Sequence, residues 1–240
     1  GAGANDVAIN SQADAYHTLG VTTDGNVYLF DVGTAAANQR LGTLTVSAAG
    51  TLSLYGTSIN TDNANVDFTS SADIEVAANV AIDTEAGDSA AAGSVLFAAA
   101  SNTDSTGGNT LSVNTDVTGF AAGSVELGVI GASNPLGGVT VSATGSTDGT
   151  LTLNGNVSVD GGGNIDFTGV SDVDLATGAV TLDGESGNDG ASGDVLFAAS
   201  AVIDGTQAFT VNTVSGGGAD GAVTLGLLGS GTALSSVDID

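Results

Sequence analysis

The stretch GTLTLNGNVSVDGGGNIDFTG, residues 149–169, restates GTLSLYGTSINTDNANVDFTS, residues 50–70, keeping its apolar letters and changing most of the others. An internal period constrains a fold more than any single motif, because repeated units must bury their apolar faces on one another. The period runs through the chain. GNVYLFDVG (25–33), GSVELGVIG (123–131) and GAVTLGLLG (221–229) are three copies, each displaced by 98 residues. SVLFAA (94–99) returns as DVLFAA (194–199), and LSVNT (111–115) as FTVNT (209–213). Length differences between copies fall in Gly, Ser, Thr, Asn and Asp: SATGSTDGT (142–150) is four residues longer than SAAGT (47–51). Loops vary and apolar triplets do not.

Within a copy the apolar segments are short and alternating, as in LTV, TLTL, IDF and VDL, each set off by a turn residue. Alternation puts Leu151 and Leu153 on one face and Thr150 and Thr152 on the other, the pattern of a strand. No stretch carries capped apolar spacing of the helical kind, so the chain is expected to be all-β with essentially no helix. Tandem β-sandwich domains would also give a period near 100 residues. Their strands, however, run about 5 to 6 residues, and this chain has 4% aromatics and no Trp. A parallel β-helix, or β-solenoid, fits better, with short strands stacked coil on coil and Gly and Asn at the corners. Residues 1–240 then form one continuous solenoid: a partial repeat 1–41, repeats 42–136 and 137–234, and the start of another at 235–240. Five coils of about 20 residues per repeat predict roughly twelve coils and a rod on the order of 55 to 60 Å.

The succession LTVSATGSTDGTLTLNGNVSVDGGGNIDFTG followed by VTLDGESGNDGASGDVLFAAS resembles the giant bacterial surface proteins with filamentous-haemagglutinin-like β-strand repeats. The resemblance covers almost all of residues 20–240, and the family's amino-terminal secretion domain is not visible here. It implies a right-handed parallel β-helix, export to the cell surface, and a role as adhesin, stalk or fibre.

Charge narrows the partners. Against 27 Asp and Glu stands a single Arg, Arg40, with no Lys, for a formal charge of -26. Phosphate contacts need Lys or Arg, so nucleic acid is excluded as a partner and an anionic membrane surface is disfavoured. Such a charge calls for salt or bound cations to relieve self-repulsion, which suits an extracellular or cell-surface location. Apolar runs fall far short of the roughly 20 residues of a membrane-spanning helix. The opening GAGANDVAIN lacks an initiator Met, as expected of a processed product or a piece of something longer.

Nucleophile-and-base catalysis needs a partner such as His, and His17 is the sole one, with no second feature pointing to it. A carboxylate-only glycosidase needs two acids at one unique site. Here the acids recur with the repeat: Asp67 with Asp166, Asp73 with Asp172, Asp83 with Asp183, Glu85 with Glu185. No enzyme is expected. The turns DTEAGD (Asp83, Glu85, Asp88) and DGESGND (Asp183, Glu185, Asn188, Asp189) gather hard oxygen donors on Gly-containing loops, the donor set calcium takes. Phe68, Phe97, Phe167 and Phe197 are locked to the repeat and read as core, and Asn114 and Asn212 read either as turn residues or as buried asparagines bonding along the coil axis. The expected function is structural: an extracellular fibre, stalk or surface layer whose subunits associate with themselves head to tail. The opposing reading is an adhesin that holds a glycan or receptor through loops such as TAAANQRLG (34–42), which carries Arg40.

Overall fold

A computed structural model describes residues 5–11, 17–34, 40–87, 90–187 and 190–240. Among these the chain is all-β, with 26 short strands and no helix. Every strand pair is parallel, which rules out antiparallel sandwiches. The strands recur in threes, so that each coil has three sides. In one coil Asp73–Val76 forms the first side, Val80–Asp83 the second and Val95–Phe97 the third. The next coil lays Asn102–Asp104, Thr110–Asn114 and Val125–Leu127 directly on them.

The third side gives the coil length. Its register passes from Leu19 through Leu44, Val66, Val95, Val125, Leu151, Val173 and Ile203 to Leu228, in eight unequal steps. The protein is therefore a parallel β-solenoid of about eight turns, roughly 26 residues each and roughly 40 Å long at one strand spacing per turn. The expected division into twelve shorter coils is corrected, because each coil spends three strands and three corners, and a corner looks in sequence like the end of a coil.

The 98-residue sequence period is not a structural period. From Thr51–Leu54 to its counterpart Thr150–Leu153 the chain passes eleven strands, which is three coils and two-thirds of another. Counterparts consequently sit on different sides: Leu52 lies on the first and Leu151 on the third. Likewise Phe68 lies on the third and Phe167 on the second.

Inward residues of all three sides fill one continuous core, including Leu52, Ile74, Val95, Leu151 and Val195, each fully buried. The repeat-locked phenylalanines are inside as expected. Phe68 meets Phe97 edge-on at 5.6 Å between ring centroids, and Phe197 lies between Phe167 at 5.4 Å and Phe209 at 6.4 Å. Corners are held by a second ladder, in which a polar side chain accepts from the backbone N–H of the corresponding residue one coil on. Asn65 Oδ1 accepts from Ser94 at 2.8 Å, Ser94 Oγ from Ser124 at 3.2 Å and Ser124 Oγ from Thr150 at 3.2 Å. Immediately before the last three of these residues stand Gly93, Gly123 and Gly149, packed so closely that a Cβ on Gly123 would lie 1.8 Å from the Gly93 carbonyl oxygen.

Thr103 departs from the apolar pattern of the inward strand positions. Thr103 is fully buried between Ile74 and Ile130 in register, and its Oγ1 has no hydrogen-bond partner. Its sequence counterpart is Ile203, which is core. A buried hydroxyl without a partner forfeits its hydration, at a cost of about 1 to 3 kcal/mol. Thr103→Val is accordingly expected to stabilise the protein by about that amount, read as a higher denaturation midpoint with an unchanged slope.

Candidate acidic groove

The first acidic turn follows Val80–Asp83 at the corner between the second and third sides. Stacking brings Asn114 onto Asp83, and Ser142 onto Asn114, in the next two coils. Loops leaving these three strands enclose an open groove of about 570 Å³ lined by Asp83, Glu85, Asn114, Asp116, Thr144 and Ser146, among others. The acids are held by the corners they close. Asp83 Oδ1 accepts from the Glu85 N–H at 3.1 Å, and Asn114 Oδ1 from the Asp116 N–H at 2.9 Å. Asp116 accepts from the Ser142 hydroxyl at 2.6 Å and from the Thr144 N–H at 2.6 Å. Glu85 is buried and its Oε2 accepts from the Asn63 N–H at 2.9 Å. Beside it, buried Asp62 pairs with Arg40 at 3.5 Å. The lone cation of the chain thus serves the corner, and its guanidinium packs on Gly87, where a Cβ would collide with it.

The second acidic turn repeats the local chemistry at another corner. Asp183 Oδ1 accepts from the Glu185 N–H at 3.2 Å, and Asn212 lies one coil above, donating to Asp183 at 3.4 Å. Burial pushes the Asp183 carboxyl above its ordinary value; the Glu185 N–H opposes this and the negative charge of Asp160 adds to it. Glu185 is fully buried. Because the repeat advances by two-thirds of a coil beyond three whole ones, this turn joins the first side to the second, a different corner from that of Asp83.

Of the seven oxygen-donor residues singled out in sequence, the structure places Asp83 with Glu85 and, separately, Asp183 with Glu185; Asp88, Asn188 and Asp189 lie outside the described residues. No group of three His, Cys, Asp or Glu able to hold one metal ion occurs among the described residues. Asn114 and Asn212 are half-buried strand ends, each accepting from the N–H two positions on, and Asn212 also bonds along the coil axis to Asp183. His17 is exposed, and its carbonyl accepts from the Gly42 N–H. The alternation analysis passed over Asp116 and Asp62. Asp116 has no duplicated acid, since it corresponds to Val214, whereas Asp62 corresponds to Asp160, and each of that pair donates its N–H to a Leu carbonyl, Leu41 or Leu136, beside its acidic turn. Only the coil-to-coil register brings Asp116 to the groove. No family model, curated protein or solved structure matches this chain.

Proposed function

We propose that the protein is a non-enzymatic structural rod of an extracellular fibre, stalk or surface layer, whose subunits stack end to end. The observation that carries this reading is the use to which the repeated acids are put. Asp67 and Asp166 both accept from the N–H and hydroxyl of the Thr two residues on. Asp73 and Asp172 both accept from a Thr hydroxyl one coil below. Asp83 and Asp183 close corners. Polar groups that could have made a reaction centre are committed to holding coils, and the resemblance to surface proteins with filamentous-haemagglutinin-like repeats supports the same reading.

End-to-end stacking is supported by the outermost rungs. Leu228, Val237 and Ile239 are 37 to 49% exposed, whereas the residues beneath them in register, Ile203, Phe209 and Val211, are fully buried. A further rung on Ser236–Ile239 would cover them. Electron micrographs of the purified 240-residue chain are expected to show filaments. Val237→Pro removes an N–H from this edge strand and should shorten or abolish them while the subunit stays folded. Monomers at high concentration would overturn the stacking.

Calcium at the two acidic turns belongs to the same proposal, since a cation there would relieve the negative field of Asp160 on Asp183 and part of the -26 charge. A ligand at 100 times its dissociation constant adds about 2.7 kcal/mol to the folded state. Calcium is expected to raise the melting temperature beyond sodium chloride of equal ionic strength; equal melting would leave screening alone. The adhesin alternative looks to the loop 34–42, of which residues 35–39 lie outside the described residues and Arg40 pairs with Asp62.

A further inference from the structure

Three aromatic residues depart from the repeat and meet at one place. Tyr28, Phe30 and Tyr55 correspond to Glu126, Gly128 and Asn154 in the next copy, and Tyr28 and Phe30 to Thr224 and Gly226 in the one after. Later copies make the same corner from Glu, Thr, Gly and Asn, so folding does not require rings here. The Phe30 and Tyr55 rings nonetheless stack at 5.7 Å, and Tyr28 lies against Tyr55 at 6.0 Å. Phe30 is 40% and Tyr55 48% exposed and Tyr28 is half-buried, whereas the other described aromatics, Phe120 apart, are fully buried phenylalanines. Rings that served only to shield the strand beneath would themselves be covered.

The surroundings say what such rings could hold. The Tyr28 hydroxyl donates to Asp6 at 3.5 Å. Asp31 follows Phe30 in sequence, and Gly56 packs on the backbone of that pair. N–H groups of Thr57 and Ser58 hold the Asp31 carboxyl below its ordinary value, keeping it charged. In register above Tyr28 come Ser53 and, two coils on, the half-buried carboxylate of Glu75; Asp104, above it, is buried and accepts from Asn102, Ser133 and Asn134. Aromatic faces bordered by carboxylates attract cations and repel anions, and the net charge of -26 acts in the same sense. Another copy of this chain has no suitable side chain to offer, because its one Arg is engaged with Asp62.

We propose that Tyr28, Phe30 and Tyr55, with Asp6 and Asp31 beside them, form a seat for the Lys or Arg side chains of a basic partner protein lying along the first side of the rod. The partner places one cation against the rings and another two coils on, at Glu75. The seat stands independently of end-to-end stacking.

The test is titration of the 240-residue protein with a hexalysine peptide at about 150 mM salt, where long-range attraction is screened beyond about 8 Å. The double variant Tyr28→Thr with Tyr55→Asn installs the residues found at Thr224 and Asn154 and leaves the charge unchanged. Two exposed cation–π contacts correspond to a loss of about 5- to 30-fold in affinity, expected with an unaltered melting temperature. Should the variant melt early, the wild type decides alone: hexalysine must shift the ring resonances of Tyr28 and Tyr55. Equal affinity of the two proteins, unshifted ring resonances, or ring-dependent binding of a neutral hexasaccharide in place of the peptide would each overturn the proposal.

Discussion

Phe197→Ala is expected to lower stability by about 3 to 5 kcal/mol, the range for deleting a phenyl ring from a closed core. The ring is 1% exposed and lies between Phe167 and Phe209, so its removal leaves a cavity and ends two edge-on contacts together. For a chain of this length the loss corresponds to a melting temperature lower by roughly 10 °C or more. Phe97, its counterpart one copy earlier, stacks on Phe68 alone. Phe97→Ala should therefore cost less, by about the 0.5 to 1.5 kcal/mol of one aromatic pair. The reverse order would show that the three-ring stack adds nothing to burial.

Gly163→Ala carries the second large effect. Gly137, Gly163, Gly193 and Gly221 stack at one corner, and a Cβ on Gly163 would stand 1.7 Å from the carbonyl oxygen of Gly137. Neither atom can turn aside, since both belong to backbone. Two coils must separate, which strains the Asn164 rung that receives the Val139 N–H at 2.9 Å below and the Asp194 N–H at 2.9 Å above. Overpacking of this kind costs about 3 kcal/mol. Gly178, also at a corner, has nothing within 4 Å of its would-be Cβ. Gly178→Ala is expected to stay within about 0.5 kcal/mol of the wild type. Urea denaturation of the two variants side by side checks the contrast, and equal midpoints would refute close packing at the Gly163 corner.

Much of this architecture was legible in the sequence. Short alternating triplets announced strands, the want of helical spacing announced no helix, and the repeat-locked Phe68, Phe97, Phe167 and Phe197 announced core. The coil length was not, because the corner after Leu54 (YGT, 55–57) and the corner after Phe68 (TSSA, 69–72) are both short breaks between alternating apolar triplets, and nothing local tells one side of a coil from another. A usable signal was nevertheless present. Gly93, Gly123 and Gly149 form one series and Gly137, Gly163, Gly193 and Gly221 another, each glycine standing two positions before an apolar residue, and the interval within either series is the coil itself. The acidic groove was half legible. Asp83 and Glu85 were visible through duplication, but Asp116 reaches that corner through register, and register across coils of unequal length depends on loops that no local pattern fixes. Thr103 was hidden for a related reason: within NTD an alternating Thr looks like any outward residue until the side it stands on is known.

The mismatch between eleven strands and three-sided coils bears on how such a chain can lengthen. If the unit of copying had to equal a whole number of coils, only rare duplications would be tolerated, since any other would turn an inward strand outward. Here each of the three sides accepts the same alternating triplet, as Leu52, Leu151 and Phe167 show by filling one core from three directions. A segment containing any whole number of strands can be inserted without opening the core. The penalty falls on the exterior alone: everything downstream is turned by a third of a revolution. Features carried once per copy then wind about the axis in a slow helical stripe, returning to their starting side only after three copies, or eleven coils. Duplication in this fold is therefore also a means of aiming surface chemistry in new directions while the interior stays the same.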